Sequence, residues 1–155
     1  MVNMRLFQAA DVVALTGLTR SQLREWSGRD RRNLVPPDIV PEGPGRHALF
    51  AWQTVLVLRL LKTLNNDFAV EVAAWAPGLN ELRRNLEGIS FPSLWGLFVY
   101  FPDRERPELM KPNMTVSNSG GLTLPLDPHL AAIATKLSIP PPEQLHLFPA
   151  IAVTL

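Results

Sequence analysis

Residues 18–26 read LTRSQLREW, and the fold turns on this stretch. Thr19 and Gln22 have the T-x-x-Q spacing of a capping box, in which the hydroxyl accepts the backbone N–H three residues on and the glutamine side chain reaches back to the threonine N–H. A helix therefore starts just after Thr19. Within it Leu23 and Trp26 are three apart and share one side. Arg20, Ser21, Arg24 and Ser27 are left on the other. Two apolar anchors opposed by cations and hydroxyls predict a short helix seated on a core, with its charge turned outward.

Upstream, Gln8 to Thr16 (QAADVVALT) carries Val12, Val13 and Leu15 with Ala9, a short helix with one apolar side. Gly17 is its stop. Two short helices joined by a tight glycine turn form a helix-turn-helix layout. Downstream, Gly28 ends the second helix and residues 30–33 (DRRN) make a polar loop. Pro36-Pro37 excludes a helix there. Asp38–Val40 and Ala48–Phe50 flank a PEGPG turn, which predicts two short strands and a small β-wing. Residues 52–64 (WQTVLVLRLLKTL) form a helix apolar nearly all round, hence central. Asn65–Asp67 is expected to break it and to cap a fourth helix with Phe68, Val72 and Trp75 on one face. Pro77-Gly78 is expected to stop that helix, leaving Leu79, Leu82 and Leu86 for one more amphipathic piece.

Past Gly88 the texture changes. Residues 94–101 (LWGLFVYF) are aromatic and strand-like, and residues 102–112 are charged and looped. Residues 114–116 and 122–124 bracket SNSGG, the pattern of a hairpin. Asp127 is placed as an N-cap with Pro128 at the first helical position, followed by Leu130, Ile133, Ala134 and Leu137 at helical spacing. Residues 145–155 close as an apolar strand, with Pro149 marking an edge or a bulge. The fold class is α+β. A mainly helical winged helix-turn-helix domain is expected over 1–88, and a small α+β dimerisation or effector module over 89–155.

Composition narrows the function. The chain has 155 residues, of which 46% are hydrophobic, so a core is available, and there is no cysteine, so disulfides, thiolate metal sites and cysteine nucleophiles are excluded. No signal peptide is visible and no apolar run is long enough for a bilayer, so a cytoplasmic protein without membrane partners is expected. Residues 1–64 carry nine Lys/Arg against five Asp/Glu, a balance of +4, and the remainder carries −3. That asymmetry fits a polyanion-binding half joined to a neutral or acidic partner.

The order helix, tight turn, helix, wing, apolar helix carries a further signal. FQAADVVALTGL over 7–18, LREW over 23–26, the Leu34-Val35-x-Pro37 step, and Gly45-Arg46-x-x-x-Phe50 with the helix after it closely resemble the DNA-binding domain of the MerR family, over roughly residues 5–76. The resemblance implies a winged helix-turn-helix that binds double-stranded DNA as a homodimer. It implies that Arg24 and its helix enter the major groove and that Arg46 touches flanking backbone. Two departures stand out. The SGRDRRNL segment before the step is longer than the family's and lacks its glycine. The long dimerisation helix that usually follows the domain has no room here, so residues 89–155 are expected to supply the homodimer contact, a small-molecule effector site, or both.

Arg20, Ser21 and Arg24 are the first candidates for DNA contact. Arginine and serine donate to phosphate oxygens, a helix N-terminus adds partial positive charge, and Arg24 could pair with guanine O6 and N7. Arg31 and Arg32, with Arg29, form a basic run suited to backbone contact, against the plainer reading of a charged loop. Arg46 and His47 are presented by the glycine-proline turn. Trp26, Phe50, Trp52 and Trp75 read as core rather than stacking platforms. Trp95 and Tyr100 are candidates for lining an effector pocket, against the commoner role of such a strand as core or interface. No catalytic residue, cofactor or metal is expected: hydrolase, zincin and phosphate-loop signatures are missing, and His47, His129 and His146 are scattered. The expected function is a sequence-specific transcription regulator, bacterial or phage, on a palindromic site. The alternatives are a phage or mobile-element architectural factor, or a protein-interaction adaptor that keeps the fold without binding DNA.

Overall fold

In the computed structural model of the chain, the described residues are 5–28, 31–114, 120–140 and 142. Strand β1 (Phe7–Gln8) leads into helix α1 (Ala9–Thr16). The Gln8 N–H donates to Asp11 Oδ2 at 3.3 Å, which satisfies a donor ahead of the first turn. Gly17 closes α1 in the left-handed region, φ 75°, donating to the Val13 carbonyl. Helix α2 (Arg20–Ser27) starts three residues after Gly17. Its capping box is formed: Gln22 N–H to Thr19 Oγ1 and Thr19 N–H to Gln22 Oε1, each at 3.0 Å. Gly28 follows α2 with φ −78°. A Cβ there would lie 2.2 Å from the Arg24 carbonyl oxygen, so close approach selects this glycine.

The expected wing is smaller than two strands. Strand β2 (Leu49–Phe50) pairs antiparallel with β1, Phe7 opposite Phe50 and Gln8 opposite Leu49. Toward residues 38–40 it makes only one bridge, Ile39 to Leu49. The better partner is the one whose side chains are core: Phe7 and Phe50 are both almost fully buried, whereas Ile39 and Val40 are exposed.

Helix α3 (Trp52–Phe68) is the axis of the molecule. Val55, Leu56, Val57 and Leu58 are consecutive and fully buried, so the helix is covered on all sides, as its all-round apolar pattern predicts. Each such side chain removed from water contributes about 1.5–3 kcal/mol. Asn65–Asp67 does not break the helix. It runs to Phe68 and ends at Ala69, φ 54°, with the Ala69 and Val70 N–H groups on the Leu64 carbonyl and Asn65 Nδ2 on the Val70 carbonyl. Phe68 therefore ends α3, exposed, and does not share a face with Val72 and Trp75.

Helix α4 (Val72–Leu86) runs straight through Pro77-Gly78, the expected stop. Its N-cap is Glu71, which accepts from the Ala73 N–H. A 3-10 turn (Phe91–Leu94) leads to β3 (Phe98–Phe101), the centre of a three-stranded antiparallel sheet in the order β4-β3-β5. Strand β4 (Glu108–Met110) lies in the stretch expected to be loop, and Val99 pairs with its Leu109 and with Leu124 of β5 (Leu122–Pro125). Residues 122–124 thus form a strand, but the described partner is β3. Of the expected hairpin, Met114 lies outside the strands, while residues 115–119 and the closing strand 145–155 lie outside the described residues.

Helix α5 (Asp127–Leu137) starts one residue earlier than its proline cue, with Leu126 as N-cap. The Asp127 side chain instead accepts from the Gly96 N–H at 2.8 Å. The fold is mixed helix and sheet, α+β. A continuous buried cluster runs from Phe7 to Ala134, and α3 packs against α1, α4 and α5. No helix among the described residues is long and apolar enough to cross a membrane.

Candidate nucleic-acid interface

Helix α2 is amphipathic by a simple count. At about 100° per residue, Arg20, Ser21 and Arg24 fall within a single arc of roughly 100°, and Leu23 and Trp26 fall on the opposite side. The structure follows that geometry except at Ser27, which was expected to face outward and is only 5% exposed. Leu23 and Trp26 are 5% exposed, and Arg20, Ser21 and Arg24 are exposed. The chain after α2 folds back to hold it: the Val35 N–H donates to the Trp26 carbonyl at 3.0 Å, with Val35 fully buried. Among the described residues, the three outward side chains form no hydrogen bond or ion pair with the protein. Two guanidinium groups and a hydroxyl are thus held on a short, capped helix with no partner among the described residues. Such a set suits oxygen acceptors in an anionic partner.

Behind α2, α1 sets the angle of presentation. Thr16 Oγ1 donates to the Val12 carbonyl at 2.6 Å and accepts from the Leu18 N–H at 3.2 Å, which orders the turn at Gly17. Leu15, in the last turn of α1, has a carbonyl without a helical partner, and Arg59 of α3 donates to it. Arg59 Nε also donates to His129 Nδ1 of α5 at 3.3 Å. Arg59 is half-buried, and burial lowers its pKa from the usual arginine value. His129 is pushed down to about 4, first by burial and then by the Arg59 charge. It is therefore neutral near pH 7, with Nδ1 free to accept. Both residues support the site rather than line it. The signal for Arg59 is a cation set within an apolar run, between Leu58 and Leu60.

The remaining candidates divide. Arg31 is exposed, and Arg29 lies outside the described residues. Arg32 is engaged: its guanidinium donates to Glu71 Oε1 at 3.0 Å, fastening the loop to the start of α4. That bond is the first reason the Glu71 carboxyl sits below its ordinary range, with the Ala73 N–H adding to it. Arg46 and His47 are exposed, as expected of a turn, with the Arg46 N–H on the Gly43 carbonyl. They border an open depression that also involves Ile39 and Glu42. Ile39 and Val40, expected only as part of a wing strand, are 46% and 38% accessible; the sequence does not show that they lack a cover. No side-chain hydrogen bond or ion pair among the described residues joins the α2 arc, the 31–32 loop and the wing.

The aromatic residues are spoken for. Trp26, Phe50 and Trp52 are buried, and Trp75 packs edge-on to Phe101 with centroids 5.4 Å apart. Tyr100 is buried in β3 with its hydroxyl on the Gly120 carbonyl at 2.6 Å, and Trp95 packs edge-on against Phe91. Tyr100 thus serves the sheet. Among the described residues no three of His, Asp and Glu gather as a metal site. No protein-family model matches the chain, and no curated protein is significantly similar to it.

Proposed function

We propose that the chain is a sequence-specific double-stranded-DNA-binding transcription regulator of the MerR type, acting as a homodimer on a (pseudo)palindromic site. The reading treats α1, the Gly17 turn and α2 as a helix-turn-helix. It treats residues 38–50 as a reduced wing and α2 as the element that enters the major groove. The observation that carries it is the arc of Arg20, Ser21 and Arg24: outward, unpaired among the described residues, and backed by the buried Leu23 and Trp26. In this reading Arg20 and Ser21 hold phosphates near the helix N-terminus and Arg24 reads a guanine edge. Arg31, Arg46 and His47 add backbone contact, while Arg32 is shared with Glu71 and contributes less. Residues 89–155 supply the contact between copies.

The test is selection of bound duplexes from a random pool, with Arg24→Ala in parallel. Loss of a bidentate guanine contact costs about 1–3 kcal/mol, or roughly 5- to 150-fold in discrimination at one base position. Arg24 is exposed and makes no side-chain bond among the described residues, so the fold is expected to stay intact. Unchanged enrichment by the variant removes α2 from the role of reader.

A second reading has one observation of its own. Ile39 and Val40 are exposed at the wing, which suits a protein-interaction adaptor that keeps the fold without binding DNA. Salt separates the two. A regulator binds random duplex DNA with an affinity that falls steeply as salt rises, and an adaptor shows no such binding.

A further inference from the structure

A cavity of about 430 Å³ lies away from the α2 arc, where both halves of the chain meet. Its walls come from Arg5 ahead of β1, Trp52 and Gln53 at the start of α3, Phe91 of the 3-10 turn, Leu137 at the end of α5 and Ile139 just past it. The volume falls within the range of about 300–1,000 Å³ common for small-molecule sites. The walls are mostly apolar, with two aromatic side chains meeting edge-on, Trp52 and Phe91, centroids 5.2 Å apart.

One wall residue is out of keeping. Gln53 is only 5% exposed, and its Oε1 has no hydrogen-bond partner among the described residues. A buried acceptor without a donor costs free energy that a leucine of similar size would not. Groups kept at such a cost cluster where a ligand or a reaction uses them. The rim carries one charge of each sign, Arg5 and Glu87. Arg5 is already committed, donating to the Lys136 carbonyl at 3.1 Å and standing 6.0 Å over the Phe7 ring. The entrance therefore has no net preference for an ion.

We infer that this cavity binds a neutral, mainly apolar, ring-bearing small molecule with one hydrogen-bond donor, toward which the Gln53 amide turns its enclosed, unpartnered Oε1 while the ring packs against Trp52 and Phe91. The occupant touches α3, the N-terminal arm and α5 at once. It therefore stabilises the seam between the two halves of the chain, by mass action on the folded state.

Indole is the probe, a neutral ring with one N–H, and 1-methylindole is the same ring with that donor removed. Titration of the full chain, followed by backbone amide shifts, is expected to show saturable indole binding with shifts around residues 53, 91 and 139. Binding of 1-methylindole is expected to be weaker by about tenfold, the worth of one buried hydrogen bond. Gln53→Leu erases the difference between the two probes and unfolds at a higher denaturant concentration than the parent. Ile139→Trp, on a different element, fills the cavity and abolishes binding of both. The inference is overturned if neither probe saturates, if the two bind alike to the parent chain, or if Ile139→Trp binds as the parent does. Binding that appears only after Phe148→Asp overturns it too, and makes the chain's own apolar C-terminal segment the occupant.

Discussion

Helix α3 begins behind Ala51, a residue with nothing to offer the orphan N–H groups of a first turn. Asp38 supplies the missing acceptor from a distance. Its Oδ2 accepts from the Ala51 N–H and the Thr54 hydroxyl, both at 2.7 Å, and its Oδ1 lies 3.6 Å from Arg83 of α4. Arg83 is largely buried and its Nε has no partner among the described residues, so Asp38 is its main compensation. Replacing Asp38 with alanine removes a cap and leaves a cation poorly paired, for a loss of about 2–3 kcal/mol in urea unfolding. Asp38→Asn keeps one acceptor and is expected to lose less. A loss below about 0.5 kcal/mol for Asp38→Ala, the scale of an ordinary surface change, would show that the cap contributes nothing. At this scale the sequence is legible only where partners are near. Thr19 and Gln22 form their capping box as written, and Gly17 adopts the left-handed turn its position demands. Asp38, placed in a wing strand by its neighbours, has its partners in two helices that lie farther along the chain.

Among the elements, α4 shows why punctuation residues mislead. Pro77-Gly78 is a stop signal on local grounds, since proline lacks a donor and glycine lacks helical propensity. The helix continues because its far half is anchored independently: Leu79, Leu82 and Leu86 are buried against the core, and Asn80 Nδ2 donates to the Leu34 carbonyl at 2.6 Å. The amphipathic spacing of these leucines was legible, and its continuity with the preceding turn was not. Gly78 is there for a neighbour. A Cβ at 78 would lie 2.1 Å from the Arg104 carbonyl oxygen, in the loop that Asp103 and Arg106 close by an ion pair. The two residues should therefore respond oppositely to alanine. Pro77 is exposed, so Pro77→Ala restores a helical donor at no packing cost and is expected to be neutral or stabilising. Gly78→Ala forces α4 from the loop and is expected to cost about 1–3 kcal/mol, as overpacking does. Equal effects of the two changes in denaturant unfolding would mean that the loop gives way freely. The strands were the least legible elements, because β4 is three residues long and charged at its start. Its identity comes from pairing with β3 rather than from its own composition.

Across the molecule, the charged helix α2 is only as well aimed as the helices behind it, and those are tied together at one buried point. Arg59 joins the end of α1, through the Leu15 carbonyl, to His129 of α5. On the surface Lys136 of α5 pairs with Asp11 of α1 at 3.1 Å, and this pairing is the first cause of the lowered Asp11 carboxyl. The buried link has a pH signature whose sign is fixed. Burial first, and the Arg59 charge second, hold His129 down to about 4 in the folded chain, against an ordinary value of 6.5. Above pH 6.5 both folded and unfolded chains hold it neutral. Between about 6.5 and 4 the unfolded chain takes up a proton that the folded chain refuses, so stability falls as the pH falls. A difference of about 2.5 pH units corresponds to on the order of 3 kcal/mol once both forms are protonated. Asp11, Glu71 and Asp103 are held below their ordinary values, so their contributions are present at neutral pH and are lost in a lower window, as the carboxylates take up protons. The two windows are therefore separable. His129→Gln keeps an acceptor for Arg59 and does not titrate, so its stability is expected to be flat from pH 6.5 to 4.5 while the parent's declines. Both then fall together in stronger acid. Urea midpoints measured across that range decide it: a decline in His129→Gln as steep as the parent's would place the proton elsewhere and leave the Arg59 link without a role in the acid response.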